Sequence, residues 1–405
     1  MSEPRRWISA LVIVAVVVVG VGIAAVVGRT DSSNSTAHEA TSSTRASATT
    51  ERGPGASTTT TVPATPTTVG RPTDQRTMTK FATIGGTISP KSVMASGRGE
   101  VTAQNMMYTH TITVYRSDGV LERTIPDSVD LAALGHPEHV GTFRGAPVEA
   151  SFTPDGRYEY VTNYSMYGPG FGPEGTDKCS PASGYDHSFV YRLDTHTWKV
   201  DQAIEVGSVP KYVKVTPDGR TVLVTNWCSY TLSFIDVASA REVATLRLGA
   251  YPRGIVVTAD SKTAYVAVMG TTTIAKVDLH THTFSTFAAG GQGPRHVVLS
   301  PDGRYLYATL NGAGVVTKIA TDTDRVVATV HTGVNPRSMD ISTDGRSLYV
   351  VNYGSDTVTK LRTDTMTELQ RIATSHHPIG ITYDGATGRI WVACYVGVIS
   401  VFDDK

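Results

Sequence analysis

Five basic residues occupy one recurring place in this chain, each directly after a proline: Lys91, Lys211, Arg253, Arg295 and Arg337. The same place holds Val148 after Pro147 and Ile379 after Pro378. If those prolines lie on a ring, the five cations converge. Converging cations at a low-dielectric mouth attract an anion. The rival reading is a repeat habit in which a long basic side chain merely solvates a loop. A second set closes another recurring stretch: Met106, Tyr164, Trp227, Met269, Asn311, Tyr353 and Tyr395. Tyr164, Trp227, Tyr353 and Tyr395 are the aromatic members, and such rings stack on sugars or fill interfaces. The rival for them is packing between repeats.

Histidines supply the remaining candidates. His296 follows Arg295, and His377 lies in "SHHP", which is expected near the channel. Imidazole titrates near neutrality, so either could serve as a weak candidate for acid or base catalysis. Surface histidines without a chemical role are the plainer alternative. His136 and His139 flank Glu138 in "HPEH". Two histidines fall short of the three or four ligands a metal needs, so no metal site is expected. There is no Gly-x-Ser-x-Gly elbow, P-loop or Cys-x-x-Cys pair, and no cofactor is expected. Whole-chain charge is balanced, with 36 Lys+Arg against 36 Asp+Glu, which argues against a nucleic-acid partner.

The elements that must carry these residues follow from a repeat. Pro210, Pro252, Pro294, Pro336 and Pro378 recur every 42 residues. The Asp-Gly turns and the strands after them keep the same period. Pro90 and Pro147 open two longer units, making seven. Each unit reads as four short strands with β-branched alternation bounded by Gly, Asp and Pro. Repeated four-stranded units of about 40–45 residues read as β-propeller blades. The seventh unit ends early, while "KFATIGGTISP" (80–90) aligns with the fourth strand of another unit. That segment is expected to close the ring, so the fold class is an all-β, seven-bladed propeller closed by an N-terminal strand. The phrases "YVTN" (160–163), "LVTN" and "YVVN" recur on the second strand. Their Asn163, Asn226 and Asn352 are expected to tie down local turns.

On those phrases the chain resembles the YVTN family of propeller repeats over 80–405. The resemblance implies an exported or surface protein. It implies either a binding or surface role or a lactonase-like activity, without choosing between them.

Both long insertions, 127–145 and 165–188, fall in connections on one face of such a propeller. Elaborated loops on a rigid scaffold usually carry binding. Of three cysteines, Cys179 and Cys228 sit in neighbouring loops and are expected to form a disulfide, whereas Cys394 is expected to be a buried free thiol. Upstream, Arg5 and Arg6 precede an uncharged run from Ile8 to Val27, long enough to span a bilayer. The expected arrangement is a transmembrane or signal-anchor helix (1–28), a disordered Ser/Thr/Pro-rich linker (29–78) and the propeller (79–405). The two arginines favour a cytoplasmic N-terminus and an extracytoplasmic propeller in the cell membrane. The function expected is binding of an anionic small molecule, an envelope glycan or a surface protein. A lactonase- or lyase-like enzyme at the channel mouth and a structural surface protein are the alternatives.

Overall fold

A computed structural model describes residues 70–405. Seven antiparallel sheets form the blades of a β-propeller. Strand β1 (Met78–Ile84) comes first. Blade 1 follows with β2 (Ser92–Ala95), β3 (Glu100–Asn105), β4 (Thr111–Arg116) and β5 (Leu121–Pro126). Blade 2 has β6 (Ser128–Asp130), β7 (Thr142–Phe152), β8 (Tyr158–Tyr167), β9 (Ser188–Asp194) and β10 (Lys199–Val206). Blades 3 to 6 take four strands each: β11–β14 (210–247), β15–β18 (252–288), β19–β22 (294–331) and β23–β26 (336–373). Blade 7 combines β27 (Pro378–Asp384), β28 (Arg389–Cys394) and β29 (Val398–Asp404) with β1, in the order β1-β29-β28-β27.

The N-terminal strand therefore closes the ring as the repeat required. It pairs from Met78 opposite Asp404 to Ile84 opposite Ile399. Closure leaves no inter-blade gap whose edge strands could template aggregation. The tail of the segment expected as a linker already belongs to this body. Thr73 is buried and bonds the Asp344 and Ser342 turn of blade 6. The expected helix over 8–27 and the rest of the linker lie outside the described residues. Among the described residues no helix is long and apolar enough to cross a membrane.

Local chemistry explains why each blade repeats so evenly. The first hairpin turn is clasped by a Ser or Thr hydroxyl donating to the Asp two residues on. Thr153–Asp155, Thr216–Asp218, Thr258–Asp260 and Ser300–Asp302 do so at 2.6 Å, and Ser342–Asp344 at 2.7 Å. Such short side-chain turns are what Asp, Ser and Thr favour in this position. Cores form at the seams. Leu223, Phe234 and Tyr212 of blade 3 pack with Ile255, Val266 and Val277 of blade 4 in one buried cluster. A 42-residue lysine series reaches from third strands toward the next blade. Lys276 meets Asp324 at 3.0 Å, Lys318 donates to the Thr363 carbonyl at 2.8 Å, and Lys360 meets Asp404 at 2.6 Å.

The asparagines of the recurring phrase act differently from the expectation. Asn226 donates to the hydroxyls of Thr231 and Ser233, and Asn352 to those of Thr357 and Thr359. They bridge to the neighbouring third strand rather than to their own turn. Asn163, buried under the long insertion, instead donates to the Phe189 carbonyl at 3.3 Å.

Candidate functional site

The innermost strands of the blades carry the prolines, so their next residues gather at one mouth of the channel. Lys91, Lys211, Arg253, Arg295 and Arg337 all line a cavity of about 260 Å³ there. Tyr164, Trp227 and Tyr395 line it too, as do Met106, Met269 and Asn311. The two sequence sets thus form one site. Tyr353 is set behind it: the Arg337 guanidinium lies 3.6 Å from the centre of its ring. The aromatics serve packing as well as lining, since Trp227 stacks on Tyr251 at 4.5 Å.

The second insertion crosses this mouth. Glu174 and Asp177 come from it and join the lining. Cys179 is disulfide-bonded to Cys228, with the Cα atoms 5.4 Å apart, which ties the insertion to blade 3. Trp227 Nε1 donates to the Asp177 carbonyl at 3.0 Å, and the Tyr230 hydroxyl to the Cys179 carbonyl at 2.8 Å. The first insertion braces the second. Its β6 adds a fifth strand beside β7, and His139 stacks on Phe171 at 4.9 Å. His136 donates its Nε2–H to the Ala203 carbonyl, 2.9 Å away, and packs on Phe189. Both histidines are packing elements, and no metal-holding group occurs among the described residues. The two insertions therefore share one face and touch.

Charge pairing in the mouth is uneven. Lys211 Nζ meets Asp177 Oδ1 at 2.6 Å and lies over the rings of Tyr164 and Trp227. Burial pulls its pKa down to about 8, the Asp177 carboxylate opposing part of that fall. Asp177 keeps 77% of its side-chain surface open. Burial of part of the group works to raise its pKa, but Lys211, Lys91 and Arg253 outweigh this and hold it at about 2. Arg253 donates to Glu149 Oε1 at 3.2 Å and to the Lys211 carbonyl at 3.2 Å. Lys91, Arg295 and Arg337 have no carboxylate within ion-pair distance among the described residues. Lys91 Nζ donates only to the Tyr395 hydroxyl, at 3.3 Å. Its pKa falls well below the usual lysine value through burial, then through repulsion from Arg253, Arg295, Lys211 and Arg337. The Nε atoms of Arg295 and Arg337 are buried without a partner, and Arg295 Nη1 reaches only the Met269 sulfur, at 3.6 Å.

A second layer of residues lies one position further along each innermost strand. It contains Glu149, Tyr212 and His296, with Gly254 between. The Tyr212 hydroxyl lies 2.9 Å from His296 Nε2, and Arg253 reaches Glu149. Each pair skips one blade, the first joining blades 3 and 5 and the second blades 2 and 4. Gly254 is required because a Cβ there would sit 2.8 Å from the His296 Cα. Burial, then Arg253, Arg295 and Lys214, push His296 down to about 3, so its imidazole is neutral. His377 does not join it. It stacks on Tyr353 at 4.2 Å and on His376 at 3.5 Å, outside the cavity. The two catalytic candidates are thus held apart by different partners. Sequence reasoning missed Glu149, Tyr212 and Asp177. A signal for the first two existed: the second position after each key proline, where polar or glycine residues predominate. Cys394 is a buried free thiol, its pKa raised by burial to about 11.

A larger groove of about 730 Å³ runs along the outer strands of blades 2 and 3, past His187, Glu205 and Arg241. Its His187–Glu205 pair is exposed and already matched at 2.9 Å. The mouth combines enclosure with buried cations that lack carboxylate partners among the described residues.

Comparison with known proteins agrees with this architecture. The cytochrome D1 heme domain family matches residues 266–390, less than half of the chain. Hydrazine synthase of Kuenenia stuttgartiensis is similar in structure, with a TM-score of 0.62 and 19% identity over 78% of this chain and 96% of that one. No curated protein matches the sequence. At that identity the likeness concerns the fold. Together with the seven closed sheets, it identifies the chain as a seven-bladed member of the β-propeller proteins.

Proposed function

We propose that the propeller binds a small anionic ligand at this mouth and works as a binding module rather than as an enzyme. One observation carries the reading: Lys91, Arg295 and Arg337 are largely buried around a cavity and lack carboxylate partners. An unpaired buried charge is costly to a fold, and a bound anion relieves that cost. Arginine is well suited to the task, because its fork matches carboxylate and phosphate groups. The cavity of about 260 Å³ sets the scale at a small metabolite or a terminal group. Catalysis is less favoured, since a neutral imidazole with a pKa of about 3 is a weak base at ordinary pH.

The heme named in the matched family fits these residues poorly. No histidine lines the cavity, His296 Nε2 is engaged by Tyr212, and the Met269 sulfur already accepts from Arg295. Axial ligation needs such a side chain to be available, and the lining tyrosines are engaged as well, Tyr164 by Asp177 and Tyr395 by Lys91. As for setting, the apolar run 8–27 and the disulfide support a membrane-anchored propeller of YVTN type facing an oxidising compartment. Calorimetric titration with a panel of carboxylates, phosphates and sulfates tests the binding reading. Arg337→Met and Lys91→Met are expected to weaken the best anion at least tenfold with the fold retained. Unchanged affinity in both variants, or no anion binding at all, refutes it.

A further inference from the structure

The number of unmatched charges says more than their sign, granted that the mouth binds an anion. Five cations line the cavity. Asp177 answers Lys211 and Glu149 answers Arg253. Glu174, the other acidic liner, is exposed on the rim, where solvent screens it. Three cations remain. They are not dispersed, because all three line the same cavity. Tyr395 links them physically: its hydroxyl accepts from Lys91, and its ring meets Tyr353, on which Arg337 lies. A monoanion would leave two neighbouring buried cations uncompensated, whereas a second negative charge leaves one.

We propose that the ligand is a small dianion, a dicarboxylate or a phosphate monoester, seated between Lys91, Arg295 and Arg337. The paired Lys211–Asp177 side then forms a neutral wall, with Met106 and Met269 facing the uncharged part of the ligand.

Matched probes test this on the purified full chain by titration calorimetry. Succinate is compared with butyrate, and methyl phosphate at pH about 8 with methyl sulfate, so that charge changes while size is nearly kept. At least one dianion is expected to bind tenfold or more tighter than its monoanionic partner, and the pair that discriminates identifies the ligand class. Lys91→Met is expected to shrink that ratio. Arg337→Gln, at a less deeply buried site than Lys91, does the same should the Lys91 variant fail to fold. Equal affinities within both pairs overturn the dianion assignment while leaving anion binding intact. Absence of binding by all four probes, together with the wider panel, overturns both.

Discussion

Lys91 is the most crowded charge in the mouth, and its crowding makes a pH prediction. Its pKa lies well below the usual lysine value and that of Lys211 near 8, so raising the pH removes positive charge from the site. Succinate is essentially a dianion above about pH 7, so its affinity is expected to fall between about pH 7 and about pH 9 as Lys211 loses its proton. Lys211→Met is expected to flatten the profile, and titration calorimetry at several pH values reads it. Two buried carboxyls act on stability in the same direction. Burial raises Asp127 from 3.8 to about 8 and Glu159 from 4.5 to about 8, though Thr102 hydrogen-bonds the latter. Between those values the folded state binds protons that the unfolded state releases, so stability falls as pH rises through that window. Asp127→Asn and Glu159→Gln are expected to resist chemical denaturation better than the parent at about pH 9, with little difference near pH 4. At this scale the cation ring was legible because its members share one place in a fixed period. Asp177 was not, because it stands in an insertion that no other blade repeats. Only the disulfide and the folded loop bring it to Lys211.

Among the elements, the second insertion carries most of the individuality of the molecule. Its anchor closes a loop of 49 residues, for which loop-closure entropy gives about 4 kcal/mol. Replacing both cysteines by serine is expected to lower unfolding free energy by up to that amount. It should also raise hydrogen exchange over 165–178, while exchange in the blade 5 strands stays unchanged. If exchange over 165–178 does not rise, the bridge is not what holds the insertion across the mouth. Strand boundaries were readable from alternation and from Asp-Gly turns, which act locally. The partners of Asn226 and Asn352 were not, since Thr231 and Thr357 reach them only once the second and third strands pair. The fifth strand β6 escaped the sequence for a similar reason. It is three residues long and owes its existence to the extension of β7.

For the whole molecule, seven blades and ring closure followed from the period alone, because each sheet can bury its faces only against its neighbours. What the period does not reveal is the latch between blades 6 and 7. Lys360 and Asp404 are fully buried, 2.6 Å apart, and Tyr349 donates to the other Asp404 oxygen at 2.5 Å. Asp404→Asn leaves a buried ammonium without its counter-charge and is expected to cost about 3–5 kcal/mol, measured by denaturant unfolding. Lys360→Met combined with Asp404→Leu is expected to recover most of that loss. A larger deficit in the double variant would mean that the pair supplies net stability. Blade 7 itself draws on both ends of the propeller, as Lys80 and Ser400, 320 residues apart, show by touching. This sheet is therefore the last that a growing chain can finish. Until β29 is made, β1 has no partner, and six blades must wait as an open arc with two raw edges. Refolding should then display a slow final phase assigned to the pairing of β1 with β29, and a separately added peptide of residues 78–90 should compete for that vacancy while the arc stands open.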